Sequence, residues 1–530
     1  KGVTILAEKC VTGYGRDGCK KKRPGCYNKM HEKDGGGRFS MTGDNCMSKF
    51  SEYLRELLHS QGESIAGIAK NAGLERTSIH KALKDERILS YTALKKLIRY
   101  LQLTLPEVRE LTCYYEMLLQ GEDLYKIQEA ICEILTDLIQ LHLTGGLYVS
   151  GEIPSVRPSD FPELILGRAQ VENAVREIWQ YETALSGCQL EIFLPSGCVL
   201  TEFLLRLWRN GRDFSVKQLV NFVPSRFGAA ENLRLVQKLL PLAFVSESRY
   251  FAYYYFENAA VQASVSPMSY FIVTPHFLIT LDEKLSAAQV QTSPELLRLY
   301  RKRFFKVAEE CQPLCSYEGD PLQILEAYME NTDQGAYYTM MLQPCLGRYY
   351  TRERIAGQFW EEIPEREKLI ECSDRRFGIL RELTGDYYTI FSEKGLRQFV
   401  SDGVEIDLPS ELVKPFPPEL RLELLRQFRE DIAQDKIHGC MVDPEEIPIP
   451  PYLTFTCGPR HGVHFYAVQG FSGGAFGCNL HIRDGGIGQS FCKFIKSLPG
   501  SRYVYEKERT LQILDGLIRD LQEGSGEGQK

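Results

Sequence analysis

The sequence of 530 residues lacks several short motifs that carry well-known chemistry. It contains no GxxxxGKS/T loop for nucleotide phosphates and no HExxH pair for catalytic zinc. Its 16 cysteines include no CxxC pair and are scattered along the chain. We therefore expect neither an enzyme of these classes nor a bound metal or cofactor.

The sequence also lacks a secretory signal and any long, purely apolar run. Residues 258–281 carry no Asp, Glu, Lys or Arg over 24 positions, but they include two prolines and several Ser and Thr. This composition favours a pair of strands over a membrane span. Because the cysteines are scattered through apolar stretches, we expect reduced thiols and a cytoplasmic protein.

The net charge of −7 is unevenly distributed along the chain. Residues 1–46 carry 10 basic and 5 acidic residues, and residues 47–104 carry 10 and 6. The remaining 426 residues carry 43 basic and 59 acidic residues, a net charge of −16. A basic N-terminal part joined to an acidic remainder indicates that the N-terminal part binds a polyanion such as nucleic acid.

Residues 1–46 show almost no hydrophobic period. Their basic run and glycines predict a disordered leader. As an alternative, translation truly starts at Met41 or Met47. The four cysteines of this segment are separated by eight, six and nineteen residues, a spacing that matches no zinc-ligand framework.

From Met47 onward the apolar residues follow a helical period. A first helix, ending near Gly62, has an apolar face that consists of Phe50, Leu54, Leu57 and Leu58. Ser64 can cap a second helix that runs through Asn71. Gly73 then supplies a tight turn, because glycine tolerates a positive φ.

Two further helices complete this module. The third is predicted from about Arg76 to Lys84, and the fourth begins after Ser90, a good capping residue. The buried faces of the last three helices are predicted to contain Ile65, Ile68, Ala69, Ile79, Ala82, Leu83, Leu94, Leu97, Ile98 and Leu101.

The module resembles a known family of DNA-binding domains. The order Ile68-Ala69-x-x-x-Gly73-Leu74-x-x-Thr77-x-Ile79, followed by a helix with Leu94, Leu97 and Leu101, is similar to the Cro and lambda-repressor type helix-turn-helix, also called the xenobiotic-response-element family. The resemblance covers residues 47–104. Many members have Gln after the capping residue, whereas this chain has Ile65.

The resemblance implies that the third helix enters the major groove of duplex DNA with its N-terminal residues toward the base edges. The implied base contacts are Arg76, Thr77, Ser78 and His80. The implied phosphate contacts are Lys49, Lys81 and Lys84, while Ser64 combines capping with a phosphate contact.

Residues 105–144 are predicted to form a helical connector. Its apolar residues step by four, three, four and three positions, a short heptad seam made of Ile127, Ile131, Ile134, Leu138 and Leu141. The seam either joins two subunits or packs on the large domain behind it. A single helix-turn-helix module buries only about 600–1,000 Å² of protein surface on DNA, which is low for specific binding. Two-fold dimers on adjacent half-sites are the usual remedy, so we expect a homodimer.

The stretch of residues 145–162, with three prolines and three glycines, marks a domain boundary. Behind it predicted strands and helices mix, which indicates two α+β subdomains over residues 145–343 and 344–522, followed by a disordered tail at 523–530. The fold class is therefore a multidomain chain with an all-α front and a large mixed α/β rear.

The rear domain offers few candidate sites for chemistry. His461 and His464 lie at i and i+3 of a predicted strand and so face opposite sides, which disfavours a metal site with His481. The glycine-rich residues 470–477 lack the spacing of a nucleotide loop and are predicted to form a hairpin turn.

Two more features of the rear domain stay open. A basic run either grips an anion such as the DNA backbone or forms a solvated helix face; it consists of Arg298, Arg301, Lys302, Arg303 and Lys306. Residues 193–196 resemble a strand-to-helix unit of phospholipase-D folds, which occur without activity behind some regulators. The rear domain contains no HxKx4D motif, so phosphodiesterase activity is not expected.

These features predict a bacterial-type, cytoplasmic transcriptional regulator that binds double-stranded DNA as a dimer. Its rear domain would sense an unknown small-molecule or peptide ligand, as in one-component regulators. Two alternatives stay open: an enzyme or toxin-like effector with its own autoregulatory DNA-binding module, and a front that docks protein instead of DNA.

Overall fold

A computed structural model describes residues 47–143, 161–195, 198, 200–256, 268–320, 323, 335–383, 386–405, 412–467 and 478–527. The predictions for the leader at 1–46 and for the hairpin turn at 470–477 lie outside these residues. The chain divides into two compact units, Lys1–Leu111 and Thr112–Lys530. A helical front is followed by a rear with two mixed sheets, which confirms the predicted fold class.

Over the residues from 47 onward that the structure describes, the front unit contains four helices and the start of a fifth. These are α1 (Lys49–Ser60), α2 (Ile65–Ala72), α3 (Arg76–Ala82), α4 (Tyr91–Leu101) and α5 (Leu105–Gln120). The apolar faces predicted from the sequence close one core, since Leu54, Ile68, Ile79, Leu94 and Leu97 are all fully buried. The helical period of the apolar residues was sufficient to predict this core, because each helix buries one continuous apolar stripe.

The rear unit contains the rest of α5 and eleven further helices among the residues that the structure describes. In chain order they are α6 (Glu122–Leu143), α7 (Arg168–Glu182), α8 (Leu200–Arg209), α9 (Ser225–Val245), α10 (Pro294–Glu310), α11 (Arg352–Gln358), α12 (Arg366–Glu382), α13 (Glu393–Asp402), α14 (Pro418–Ala433), α15 (Gly485–Ser497) and α16 (Lys507–Glu527).

The tail prediction needs a correction. Helix α16 continues to Glu527, five residues into the segment 523–530 that was predicted to be disordered. Helix α16 is anchored by the buried Leu514 and Leu517, and a nucleated helix adds one hydrogen bond for each further residue that it fixes.

Two sheets form the framework of the rear unit over the parts that the structure describes. The first contains β1 (Leu164–Leu166), β2 (Cys188–Phe193), β3 (Phe214–Phe222), β4 (Tyr250–Phe256), β5 (Tyr270–Val273), β6 (Leu278–Leu281), β7 (Ala287–Gln291) and β8 (Gln312–Pro313). The second contains β9 (Cys315–Glu318), β10 (Ala336–Met340), β11 (Asp386–Phe391), β12 (His438–Met441), β13 (Leu453–Gly458), β14 (Gly462–Ala467) and β15 (Cys478–Ile482).

The two sheets repeat one topology. The strand order is β1-β7-β6-β5-β2-β3-β4-β8 in the first sheet and β9-β15-β14-β13-β10-β11-β12 in the second. In each sheet, three parallel strands lie beside an antiparallel meander of three strands. The first strand of each sheet in chain order, β1 or β9, lies at the outer edge of the meander. It pairs antiparallel with the last meander strand, β7 or β15. Apart from β8, the second half of the rear unit therefore repeats the first.

The heptad seam of α6 packs inside the rear unit. Its apolar residues are buried and share one core with strands of both sheets. Helix α6 contacts α9 and α15, and the buried Gln128 donates from Nε2 to Ser497 Oγ at 2.8 Å. These contacts support the second of the two alternatives drawn from the sequence, in which the seam packs on the large domain. A dimer through another face stays a prediction.

No helix within the described ranges is both long and apolar enough to cross a membrane.

Candidate nucleic-acid interface

The turn between α2 and α3 has the geometry that the sequence predicted. Ser64 Oγ accepts a hydrogen bond from the Gly67 backbone N–H at 3.2 Å and so caps α2. Gly73 ends that helix at φ 65° and ψ 40°, the left-handed region that favours glycine. A Cβ atom at Gly73 would meet nothing within 4 Å. The glycine is therefore required by backbone conformation and not by space.

Apolar side chains on one face of helix α3 are buried in the core of the front unit. Ile79 is fully buried, and Ala82 and Leu83 are nearly so. Ala69 on α2 is also buried, as expected for a small residue where α2 and α3 pack together. These contacts leave the opposite face of α3 for solvent or a ligand.

Helix α3 is shorter than predicted. It ends at Ala82 instead of Lys84, because the chain turns at Asp85, where φ is 55°. The backbone N–H of Glu86 then donates to Lys81 O at 2.9 Å and closes the helix end. Lys84 consequently lies beyond the helix, 4.0 Å from the carboxylate of Glu86.

The sequence did not reveal how α3 is tied to α1. Asp85 accepts hydrogen bonds from the Ser48 backbone N–H at 2.7 Å, from Ser48 Oγ at 2.5 Å and from Ser51 Oγ at 3.0 Å. Arg55 Nη2 donates to Leu83 O at 2.8 Å. The end of α3 is thus fixed to the first turns of α1. An Asp after a helix is too common to serve as a signal, and its partners are 34 and 37 positions away.

A second polar cluster ties the ends of α2 to α4. Tyr100 Oη donates to Glu63 Oε2 at 2.5 Å, and Asn71 Nδ2 donates to Glu63 Oε1 at 3.0 Å. The hydrogen bond to Glu63 is the main reason that the pKa of Tyr100 is raised. This cluster was not predicted either. Glu63 lies two residues before Ile65 in the sequence, and Ile65 is the position at which the resemblance expects Gln.

The predicted DNA contacts divide by exposure. Six of the eight are exposed: Lys49, Ser64, Arg76, Thr77, Lys81 and Lys84. Ser78 and His80 are half-buried. The exposed set includes four cations, so it offers charge to phosphate as well as hydrogen-bond donors to bases.

Two of the predicted base contacts touch each other. Arg76 Nε donates to His80 Nε2 at 3.2 Å, one helical turn apart. The bond requires an unprotonated Nε2, and it leaves both terminal nitrogens of the guanidinium unused by this contact. His80 therefore orients Arg76 in the free protein.

The N-terminal end of α3 also carries an acidic residue. Glu75 stands at the N-cap position, is exposed and makes no side-chain capping bond. A carboxylate next to the helix N-terminus is electrostatically favourable there.

Three histidines of the rear unit lie close together in a way that the sequence did not predict. His464 and His481 are directly paired across β14 and β15, and their rings stack with centroids 3.8 Å apart. Burial, followed by the neighbouring His481, lowers the pKa of His464 to about 2. His481 Nε2 lies 2.6 Å from His461 O. No group of three metal-ligating side chains occurs among the residues described.

Comparisons with known proteins add little to this geometry. No model of a protein family matches the chain. No curated protein matches it either. Among solved structures, the chain is similar to TrmBL2, an archaeal chromatin protein whose structure is described as showing a novel mode of DNA binding. That match has 10% identity, covers 50% of this chain and 100% of that chain, and has a TM-score of 0.22, which is too low to bear on fold or function.

Proposed function

We propose that this chain is a transcriptional regulator that binds double-stranded DNA sequence-specifically through α3, in the manner of the Cro and lambda-repressor type helix-turn-helix family. One observation carries the proposal: the buried Ile79 and the Gly73 turn present the polar face of α3, with Arg76, Thr77 and Lys81, to solvent. The positive charge of residues 47–104 supports it, because phosphate neutralisation dominates affinity for DNA.

The contacts are proposed to divide by role. Arg76 reads a base edge, most favourably guanine O6 and N7, with Thr77, Ser78 and His80 beside it. Lys81, Lys84 and Lys49 contact phosphates, as does Ser64 together with the positive end of α2. Phosphate contacts set the position on the duplex, and base contacts set the sequence.

We propose that the rest of the chain regulates this DNA-binding module. We propose a homodimer in the cytoplasm, because two readers on adjacent half-sites reach the affinity that one cannot. The rear unit would sense a small molecule or peptide and would not act as an enzyme.

Selection from a random duplex library with the full chain tests the proposal. A defined consensus is expected for the wild type. Arg76→Ala should relax the consensus at one position, whereas Lys84→Ala should weaken binding to all sequences alike. Recovery of no consensus at all, at any salt concentration, would contradict sequence-specific binding.

A further inference from the structure

Strand β1 lies at one edge of the first sheet and pairs with β7 alone among the residues that the structure describes. The pairing is antiparallel. The Val290 N–H donates to Glu163 O at 3.1 Å, and the Gly167 N–H donates to Ser286 O at 2.8 Å. Because alternate residues of an antiparallel strand bond to the same neighbour, the odd-numbered residues from 163 to 167 face β7.

The outer side of β1 offers main-chain hydrogen-bonding groups next to apolar side chains. The N–H and C=O groups of Leu164 and Leu166 point away from β7, since the residues that alternate with them bond to that strand. The side chains of the two leucines are 50% and 65% exposed, whereas Ile165 between them is buried. None of the three residues of β1 is charged. An uncharged, exposed edge strand is a template for pairing with another strand.

The equivalent strand of the second half shows how this fold uses such an edge. Strand β9 pairs with β15 as β1 pairs with β7. The chain enters β9 from β8 through Leu314, and β8 pairs antiparallel with β4 of the first half. The Leu314 N–H donates to Ala252 O in β4 at 2.8 Å. One continuous segment thus joins the two sheets, with an antiparallel ladder on each side.

Two exposed charges flank β1 and make its edge self-complementary. Glu163 precedes the strand, and Arg168 follows it by two positions. In an antiparallel pairing of two copies about a two-fold axis at Ile165, Leu164 of each copy lies opposite Leu166 of the other. Glu163 of each copy then lies beside Arg168 of the other. A parallel pairing would set like charges side by side, which is unfavourable.

We propose that β1 pairs antiparallel with β1 of a second copy of this chain, so that the first sheet continues across a two-fold axis. The interface is isologous, because the same edge serves both copies. Arg168 bonds Glu172 at 2.9 Å within its own copy, but its side chain stays 63% exposed and can approach a second carboxylate. The inference rests on the proposed function only in that the proposed function calls for a homodimer.

Sedimentation velocity of the full chain over a range of concentrations measures the dimer directly. The wild type should show a reversible monomer–dimer equilibrium. Glu163→Arg should raise the dimer dissociation constant by about tenfold or more, because two attractive pairs become repulsive. Adding Arg168→Glu restores opposite charges and should return the constant toward the wild-type value. A wild type that is monomeric at every concentration overturns the proposal, and so does a Glu163→Arg effect that Arg168→Glu does not reverse.

A second variant tests the main-chain ladder instead of the charges. Leu166→Pro removes an N–H that points outward and leaves the bonds of β1 to β7 in place, a position where an edge strand tolerates proline. It should abolish the dimer at concentrations at which the wild type is mostly dimeric. Circular dichroism and a melting temperature like those of the wild type would show that the variant is folded. A folded variant that dimerises like the wild type overturns the proposal.

A matched control reverses one charge elsewhere on the rear unit. Glu371 is exposed on α12, and Glu371→Arg changes the net charge by the same amount as Glu163→Arg. The dissociation constant of this control should equal that of the wild type. An equal increase in both variants would indicate a dependence on net charge instead of an edge contact, and it overturns the proposal.

DNA binding by the same proteins separates this inference from the proposed function. If the dimer depends on β1 while the wild type binds a random-sequence duplex with a salt slope near zero, the DNA-binding module fails and the β1 interface stands. A clearly negative slope in a wild type that is monomeric, or whose dimer is unaffected by Glu163→Arg, removes the β1 interface and keeps the DNA-binding module.

Discussion

The contact between Arg76 and His80 leads to a prediction about base selectivity. Arg76 donates from Nε to His80 Nε2 at 3.2 Å, so its two terminal nitrogens are available to a base. Arg76→Ala should therefore abolish preference at one base position, a loss of about 1–3 kcal/mol or about 5- to 150-fold in discrimination. Non-cognate duplexes should lose less affinity, because they use only the phosphate contribution.

His80 should act through Arg76. His80→Ala removes the acceptor and should lose part of the same discrimination, whereas His80→Gln, which keeps an acceptor one turn away, should restore it. In a double-mutant cycle the two substitutions should couple by about 0.5–1 kcal/mol at that base position.

The assay is competition binding of the full chain to a selected site carrying each of the four bases at every position. A uniform loss of affinity at all positions in Arg76→Ala would refute the assignment of Arg76 to a base. Strict additivity of Arg76→Ala and His80→Ala would refute the positioning role of His80.

Three further predictions concern the stability of the two units. Gly73→Ala should destabilise the front unit by about 1–2 kcal/mol through the left-handed backbone alone, and Gly73→Asn by less; equal losses in chemical denaturation would contradict this reason. Asp85→Ala removes the acceptor of three hydrogen bonds from Ser48 and Ser51 and should lower the unfolding free energy by about 1–3 kcal/mol. Hydrogen exchange at the start of α1 should be faster in this variant than in the wild type. Ile134→Ala should cost about 2–5 kcal/mol in the rear unit because Ile134 is buried, while sedimentation should show an unchanged subunit number; a dissociated dimer would mean that the α6 seam joins subunits.

Local signals were sufficient to predict the front module. Ser64, Gly73 and Ser90 each act on neighbours within a few residues, and the structure shows all three in the predicted roles. The polar ties of Asp85 and Tyr100 were missed because their partners lie more than 30 positions away. The site residues were predicted as a set, but the pairing of Arg76 with His80 became visible only in the structure.

The repeated sheets could not be predicted in the same way. Their pairings join distant segments, such as Leu164 with Gln289, and the period of each strand does not identify its partner. The two halves also differ in chemistry at equivalent positions, since α10 has an exposed, charged face where α15 is largely buried and apolar. Topology was therefore repeated without a visible repeat in the sequence.

The slope of log K against log salt concentration, measured for the full chain on duplex DNA, tests the central claim most directly. We predict a clearly negative slope that becomes shallower by about 2 when Lys81 and Lys84 are both replaced by Gln, since each phosphate contact contributes about 0.9. A slope near zero for the wild type would contradict DNA binding by the front unit.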